Sequence, residues 1–272
     1  DNTGHVCGRC PACERGDYLL CSEKVNLGLG YGYSGGFTKY CRIPGEILAI
    51  HKRAVWEIPQ GLTYEEAAVM DPICNAYKAI AQRSGLLPGE NVVIFGTGPL
   101  GLFSVQIAKL MGALHIVVVG LEEDVKVRFG VARQLGATAV VNGSAEDVVE
   151  RCREICGGRD SIGLVVDCAG ANICLKQAIE MVRCNGEIVR VGMGFNPLGF
   201  SINDISMKAV SIIGHMAYDA TSWRNALNLL AAGRIQVKPM ITHRLGLSQW
   251  EEGFEAMANK EAIKVILTYD FD

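Results

Sequence analysis

No apolar run in this chain approaches the ~20 residues that a membrane-spanning helix requires. The opening Asp1-Asn2-Thr3-Gly4 has no basic-then-apolar signal pattern. Basic residues are scattered, and 26 of them against 29 acidic ones leave a net charge of −3, so the electrostatic footprint that nucleic acid or anionic lipid would need is missing. Internal repeats and low-complexity segments are absent too, which sets aside solenoid architectures. The expectation is a cytoplasmic chain with no membrane and no nucleic-acid partner. An initiator Met is also missing, and the chain opens almost at once on a cysteine motif; a fragment, or a protein whose first part precedes Asp1, is expected.

What is present is enough for a sizeable core. The chain has 272 residues, 49% hydrophobic and 20% charged, which fits one large domain or two ordinary ones. Its eleven cysteines are odd in number and sit in a long chain with 32 glycines, so thiols are a better reading than a disulfide framework. Four of them fall together at Cys7, Cys10, Cys13 and Cys21; the other seven are dispersed and suit packing. The pair Cys152 and Cys156 shares a helix face at i, i+4 but has no companion donors.

From Asn91 onward, short β-branched runs alternate with helical stretches, the pattern of βαβ units and a parallel sheet covered on both faces. Strands are expected at 91–95, 115–119, 137–141, 163–168, 187–191 and 210–214, with helices near 100–111, 124–135, 145–156 and 173–182. This is an α/β fold with a doubly wound, parallel, six-stranded Rossmann sheet. Before Asp71 the grammar differs. Gly28, Gly30, Gly32, Gly35 and Gly36 interrupt short segments such as Phe37–Ile43 and Ile47–Ile50, which suggests a small β-rich domain. The tail from Ala217 is mixed, with a helix over Trp223–Ala232, a break at Pro239 and a final strand over Ile263–Thr268.

The spacing Cys7-x2-Cys10-x2-Cys13-x7-Cys21 places four soft ligands on one tight lobe, which suits a closed structural zinc site. An iron–sulfur run would expect its fourth Cys after three residues and followed by Pro; here the gap is seven and Ser22 follows. Unligated thiols are the remaining alternative. A closed four-thiolate site has no open position for water, so its metal would organise a loop and do no chemistry. His5 adjoins this lobe as a residue behind the ligands or an exposed one. His51, His115, His215 and His243 each stand alone in sequence, as packed or surface histidines do.

After Val92-Val93-Ile94-Phe95 comes Gly96-Thr97-Gly98-Pro99-Leu100-Gly101, and a helix follows. G-x-G-x-x-G alone is a weak signal, but in a strand–turn–helix setting it marks a dinucleotide site: Gly96 for the tight turn, Gly98 for approach to a pyrophosphate, Gly101 for helix–strand packing. The alternative is a tight turn with no ligand. The acid normally found at the end of the second strand is replaced by Gly120, and Glu122, Glu123 and Asp124 follow at once; Arg128 is the nearby base expected to face either cofactor without first crossing those acids. NAD and NADP both remain open, with the three acids inclining toward NAD.

The four-cysteine lobe, the Gly-rich turn, Met70-Asp71-Pro72-Ile73-Cys74-Asn75-Ala76, Pro239-Met240-Ile241-Thr242-His243-Arg244 and Gly253-Phe254-Glu255-Ala256-Met257 together resemble the zinc-dependent medium-chain alcohol dehydrogenases, in particular the threonine and sorbitol (polyol) branch. The resemblance covers essentially the whole chain. It implies a partial β-rich, GroES-like catalytic domain at 1–72 carrying the structural zinc lobe, a dinucleotide-binding domain at 73–216, and a return to the catalytic domain at 217–272. It further implies a second, catalytic zinc with Asp71 at its third ligand position, the other ligands being a Cys and a His-Glu pair upstream of Asp1. The adenosine end of the cofactor would meet Leu100, Gly120 and Arg128; Val191, Gly192, Met193, His215 and Met216 would approach the nicotinamide, and Pro99 would open the phosphate-facing helix. The implied reaction moves a hydride between a secondary alcohol carbon of a polyol, sugar derivative or threonine-like substrate and NAD(P), in a homodimer or homotetramer. A catalytically silent nucleotide-binding relative, or an inactive fragment, is the alternative.

Overall fold

The computed structural model describes residues 6–23, 29–30 and 32–271. The chain divides into two compact units: Asp1–Cys74 with Met216–Gly233 and Ile241–Asp272, and Asn75–His215 with Arg234–Met240. The short Arg234–Met240 segment thus groups with the middle of the chain, where Gln106 bonds the backbone of Gln236 in both directions, at 3.0 and 2.7 Å.

The second unit is built on six parallel strands: β1 (Asn91–Phe95), β2 (Ile116–Gly120), β3 (Ala139–Asn142), β4 (Ile162–Asp167), β5 (Glu187–Arg190) and β6 (Ser211–Gly214), in the spatial order β3-β2-β1-β4-β5-β6. The expected boundaries move by one or two residues. All of β1, β2 and β4 is buried, which is what a run such as Asn-Val-Val-Ile-Phe dictates when helices cover both faces of a parallel sheet. Each fully buried Val or Ile contributes about 1.5–3 kcal/mol relative to exposure. The order reverses between β1 and β4, and that switch point is where an open α/β sheet leaves a crevice beyond its carboxyl ends.

Helices Pro99–Leu110, Arg128–Leu135, Val148–Cys156 and Asn172–Met181 connect the strands. Val148–Cys156 shows how sequence fixes their limits. Asp147 accepts the Glu150 N–H at 3.1 Å at its start, and left-handed Gly157 ends it. Its apolar face, Val148, Val149, Cys152 and Cys156, lies in the same buried cluster as Val93, Val165 and Ile188. Burial pushes the Cys152 thiol up to about 12 and Cys156 up to about 11, so both serve as packing. The helix expected from Asp124 starts only at Arg128, because Asp124 closes a preceding turn by accepting the Leu121 N–H at 2.9 Å.

The first unit corrects two expectations. Phe37–Ile43 forms no strand: among the described residues no neighbouring strand offers it a ladder. Ile47–Ile50 belongs to a helix, Gly45–Ile50, opened by Pro44 at φ −60°. Within it only Ile47 is buried, so the segment shows none of the alternating burial of a half-buried strand, and His51 ends the helix. Gly28 and His5 lie outside the described residues. The tail holds the helix Ala220–Ala231, with a capping box between Asp219 and Ser222, then β7 (Ile241–Gly246), the helix Trp250–Ala258 and β8 (Lys264–Thr268); β7 and β8 pair in parallel. No described helix is long and apolar enough to cross a membrane.

Candidate functional site

Cys10 precedes a single helical turn, Pro11–Glu14, and that turn carries Cys13 back beside it. The four sulfurs of Cys7, Cys10, Cys13 and Cys21 all lie within 4.8 Å of one another. Tetrahedral coordination at about 2.3 Å would set them about 3.8 Å apart, so a small contraction closes the site. Backbone N–H groups already aim at the sulfurs. Those of Cys13 and Ser22 lower the Cys10 thiol to about 6, a value at which a thiolate ligand is available at neutral pH, whereas burial raises Cys13 to about 12 and raises Cys21. The donor set, its compactness and its N–H cradle fit a zinc ion with no free coordination position.

The turn after β1 is built for close approach. Gly96 has φ +101°, and a Cβ there would come within 3.4 Å of the Cys168–Ala169 backbone. A Cβ on Gly101 would run into the Gly96 carbonyl oxygen, whereas nothing lies within 4 Å of one on Gly98. Gly101 is therefore required by the fold, and Gly98 faces open space. The helix starts with Pro99 in its first turn, and the amides of Leu100 and Gly101 have no preceding helical carbonyl to bond, an anion-directed N-terminus on a 12-residue helix.

At the end of β2, Gly120 is also a steric choice: a Cβ would stand 2.5 Å from Phe129 Cε1 and 2.9 Å from Asp124 Oδ2. Arg128 is buried, with Nη1 3.4 Å from Asp124 Oδ1, so its guanidinium is engaged by an acid of the same turn. Glu122 Oε2 accepts from Asn142 Nδ2 at 2.5 Å.

At the carboxyl ends of β4 and β5, the amides of Val191 and Gly192 donate to the Asp167 carbonyl at 2.9 and 2.8 Å, and Met193 is largely exposed. The fully buried Asp167 carboxylate accepts from the Ala169 and Gly170 amides and from Arg190 Nη1. Sequence reasoning missed this pair, which emerges only once β4 and β5 are laid in register: Asp167 and Arg190 are register partners. After β6, His215 Nε2 lies 3.2 Å from Asn75 Oδ1, its Nδ1 is buried without a partner, and desolvation, with Lys78 and Arg83 nearby, lowers it to about 4. Met216 groups with the first unit.

Asp71 also lies in the first unit, as the second residue of the helix Met70–Tyr77, inside its first turn. The Tyr218 hydroxyl donates to its carboxylate; burial first, then Asp71, raises the Tyr218 phenol. Lys264 is a further charge near Asp71. No local pattern points to Tyr218, because its place depends on the chain returning after β6. Among the described residues the only grouping of three or more His, Cys, Asp or Glu whose ligand atoms lie close enough to hold one metal ion is the four-cysteine lobe. The described donors around Asp71 therefore do not fit a catalytic zinc by themselves.

The sequence model of the zinc-binding dehydrogenases matches residues 99–232. A zinc-type alcohol dehydrogenase-like protein of Escherichia coli K12, YdjL, is 72% identical over 273 residues, covering 100% of this chain and 76% of that protein. The sorbitol dehydrogenase of Halalkalibacterium halodurans is 32% identical, over 98% of this chain and 75% of its own length. Among solved structures, the alcohol dehydrogenase TADH from Thermus sp. ATN1 superposes with a TM-score of 0.85 at 29% identity, covering 97% of this chain and 75% of that one. The order of strands, the four-cysteine lobe and these similarities agree: the chain belongs to the zinc-binding, medium-chain alcohol dehydrogenase family.

Proposed function

We propose that this chain supplies the nucleotide-binding and structural-zinc parts of a zinc-dependent dehydrogenase that moves a hydride between a secondary alcohol and NAD(P). The observation that carries the reading is the β1 turn, in which Gly101 is sterically obligatory while Gly98 opens onto space in front of a helix N-terminus at the switch point of the sheet. In such a site the protein's part is to bind and orient the cofactor; the hydride chemistry belongs to the nicotinamide. The pyrophosphate would lie on the amides of Leu100 and Gly101, the adenosine toward Gly120 and Arg128, and the nicotinamide toward Val191, Gly192, Met193 and His215, with Met216 next in sequence.

Zinc on Cys7, Cys10, Cys13 and Cys21 is proposed as structural. Asp71, held by the Tyr218 hydroxyl, is proposed as a catalytic-zinc ligand whose companion donors lie outside the described residues. A polyol, sugar derivative or threonine-like alcohol is the substrate class, as the similarity to a sorbitol dehydrogenase suggests. A homodimer or homotetramer in the cytoplasm belongs to the same proposal.

NAD is favoured over NADP. Glu122 and Glu123 stand beside the adenosine end, and Asp124 already engages the Arg128 guanidinium that a 2′-phosphate would need. Fluorescence titration with NADH and NADPH tests this, and NADPH binding ten times tighter, about 1.4 kcal/mol, would reverse the preference. Absence of binding to either nucleotide would end the reading. In a preparation that turns over polyol or threonine, Asp71→Asn should keep nucleotide affinity and structural zinc and lose most activity. Zinc-loaded protein that binds NADH but oxidises none of these alcohols would support a silent nucleotide-binding role.

A further inference from the structure

The carboxyl ends of β4 and β5 carry two glycine loops, Cys168–Ala171 and Val191–Gly194, pressed back to back. A Cβ on Gly192 would strike the Gly170 amide nitrogen, and one on Gly194 the Gly170 carbonyl oxygen. Such contact between two loops rich in backbone freedom needs a tie, and one side chain supplies it. Arg190 Nη1 donates to Asp167 Oδ2 at 2.6 Å, while Nη2 of the same guanidinium donates to the Gly170 carbonyl at 2.8 Å. The other carboxylate oxygen of Asp167 accepts the amides of Ala169 and Gly170 at 3.0 and 2.8 Å, and its backbone carbonyl accepts those of Val191 and Gly192. One ion pair, between register partners on adjacent strands, therefore ties the first loop to the strand end from which the second departs. A cavity of about 290 Å³ opens beside them, lined by Ala169, Gly170, Ala171, Asn172, Met193 and Gly194.

In a sheet of order 3-2-1-4-5-6, β1 and β2 serve the adenosine half of a dinucleotide and the β4–β6 half serves its other mononucleotide. We propose that Arg190 is a positioning residue: its two-pronged bond to Asp167 and the Gly170 carbonyl holds the paired glycine loops in the place where they receive the nicotinamide-ribose half of the cofactor. The inference rests on the nucleotide-binding reading above. A planar guanidinium can meet two acceptors at once, whereas a lysine ammonium on this stem keeps the charge without the fork.

The test compares two ligands on the same chain. ADP carries the adenosine and both phosphates; NADH adds the second ribose and the nicotinamide. In Arg190→Lys, which preserves an opposite charge for the buried carboxylate, ADP affinity measured by calorimetry should stay within about twofold, while NADH affinity falls at least about tenfold and the fluorescence enhancement of bound NADH diminishes. Arg190→Met should lower NADH affinity at least as far and also lower the melting temperature, since it leaves a buried carboxylate without its cation. Unchanged NADH affinity in Arg190→Lys, or an equal loss for both ligands, would overturn the inference while leaving the nucleotide reading in place. An unsubstituted chain that binds neither ligand would overturn both.

Discussion

The cysteine lobe and the parallel sheet hold their shapes by different means. The buried cluster of the lobe consists of Val6, Cys13, Cys21, Ile47 and Ala54, and two of those five are proposed metal ligands. The sheet buries whole strands among the side chains of its helices, with Val93, Val117, Val165 and Ile188 fully removed from water. A lobe with so few apolar side chains cannot offset the entropy of ordering its loops by burial alone, whereas the sheet can. The difference teaches which region answers to metal and which to packing.

Metal removal should separate them most. We expect one zinc per chain, and coordination of this kind is worth on the order of 10 kcal/mol of folding energy to a small metal lobe. A strong chelator, or Cys10→Ser, should make residues 6–54 protease-sensitive and leave β1–β6 protected; metal analysis and limited proteolysis read both. Iron with sulfide, or a Cys10→Ser protein with undiminished zinc and unchanged protection, would break the comparison.

Within the sheet unit, two glycines of one turn should part company. Gly101→Val forces a side chain against the Gly96 carbonyl and should cost several kcal/mol of stability, as overpacking of a close helix–strand contact does. Gly98→Val meets open space, so it should change stability by less than about 1 kcal/mol and still abolish nucleotide binding by standing where the pyrophosphate comes. Denaturant unfolding and NADH titration on both variants measure the split. Equal destabilisation by the two would show that the turn is fixed by packing throughout, with no face reserved for a ligand.

The same contrast explains what could be read from sequence. The six strands were legible because a strand buried on both faces leaves a continuous β-branched run, and the cysteine lobe because thiolate spacing is written in one short segment. Ile47–Ile50 was misread as a β segment: Ile47 is the one buried residue of the helix that holds it, and in so short a segment one isoleucine decides nothing. Neither the Arg190–Asp167 tie nor the Tyr218 hydroxyl on Asp71 could be read locally, since each joins residues that only the fold brings together. For the tie, the parallel register of β4 and β5 is the information that was missing.

The smallest expected effect comes from His215. Its imidazole is lowered from the ordinary 6.5 to about 4, first by burial and then by the charges of Lys78 and Arg83. Asn75 faces Nε2, while Nδ1 is buried without a partner, so neither side of the ring offers an acid to welcome a second proton. The unfolded chain binds that proton near pH 6.5 and the folded chain does not. Stability contributed by the neutral ring is therefore complete above about pH 6.5 and is lost as pH falls toward 4. Because the ring is partly exposed, the loss between pH 7 and pH 5 should be about 1–2 kcal/mol. His215→Gln should remove this part of the pH dependence, so melting curves of the two proteins at pH 7 and pH 5, without nucleotide, should differ more for the unsubstituted chain. Parallel shifts would mean that His215 is already hydrated in the folded state, and the sheet unit would then owe none of its acid sensitivity to this ring.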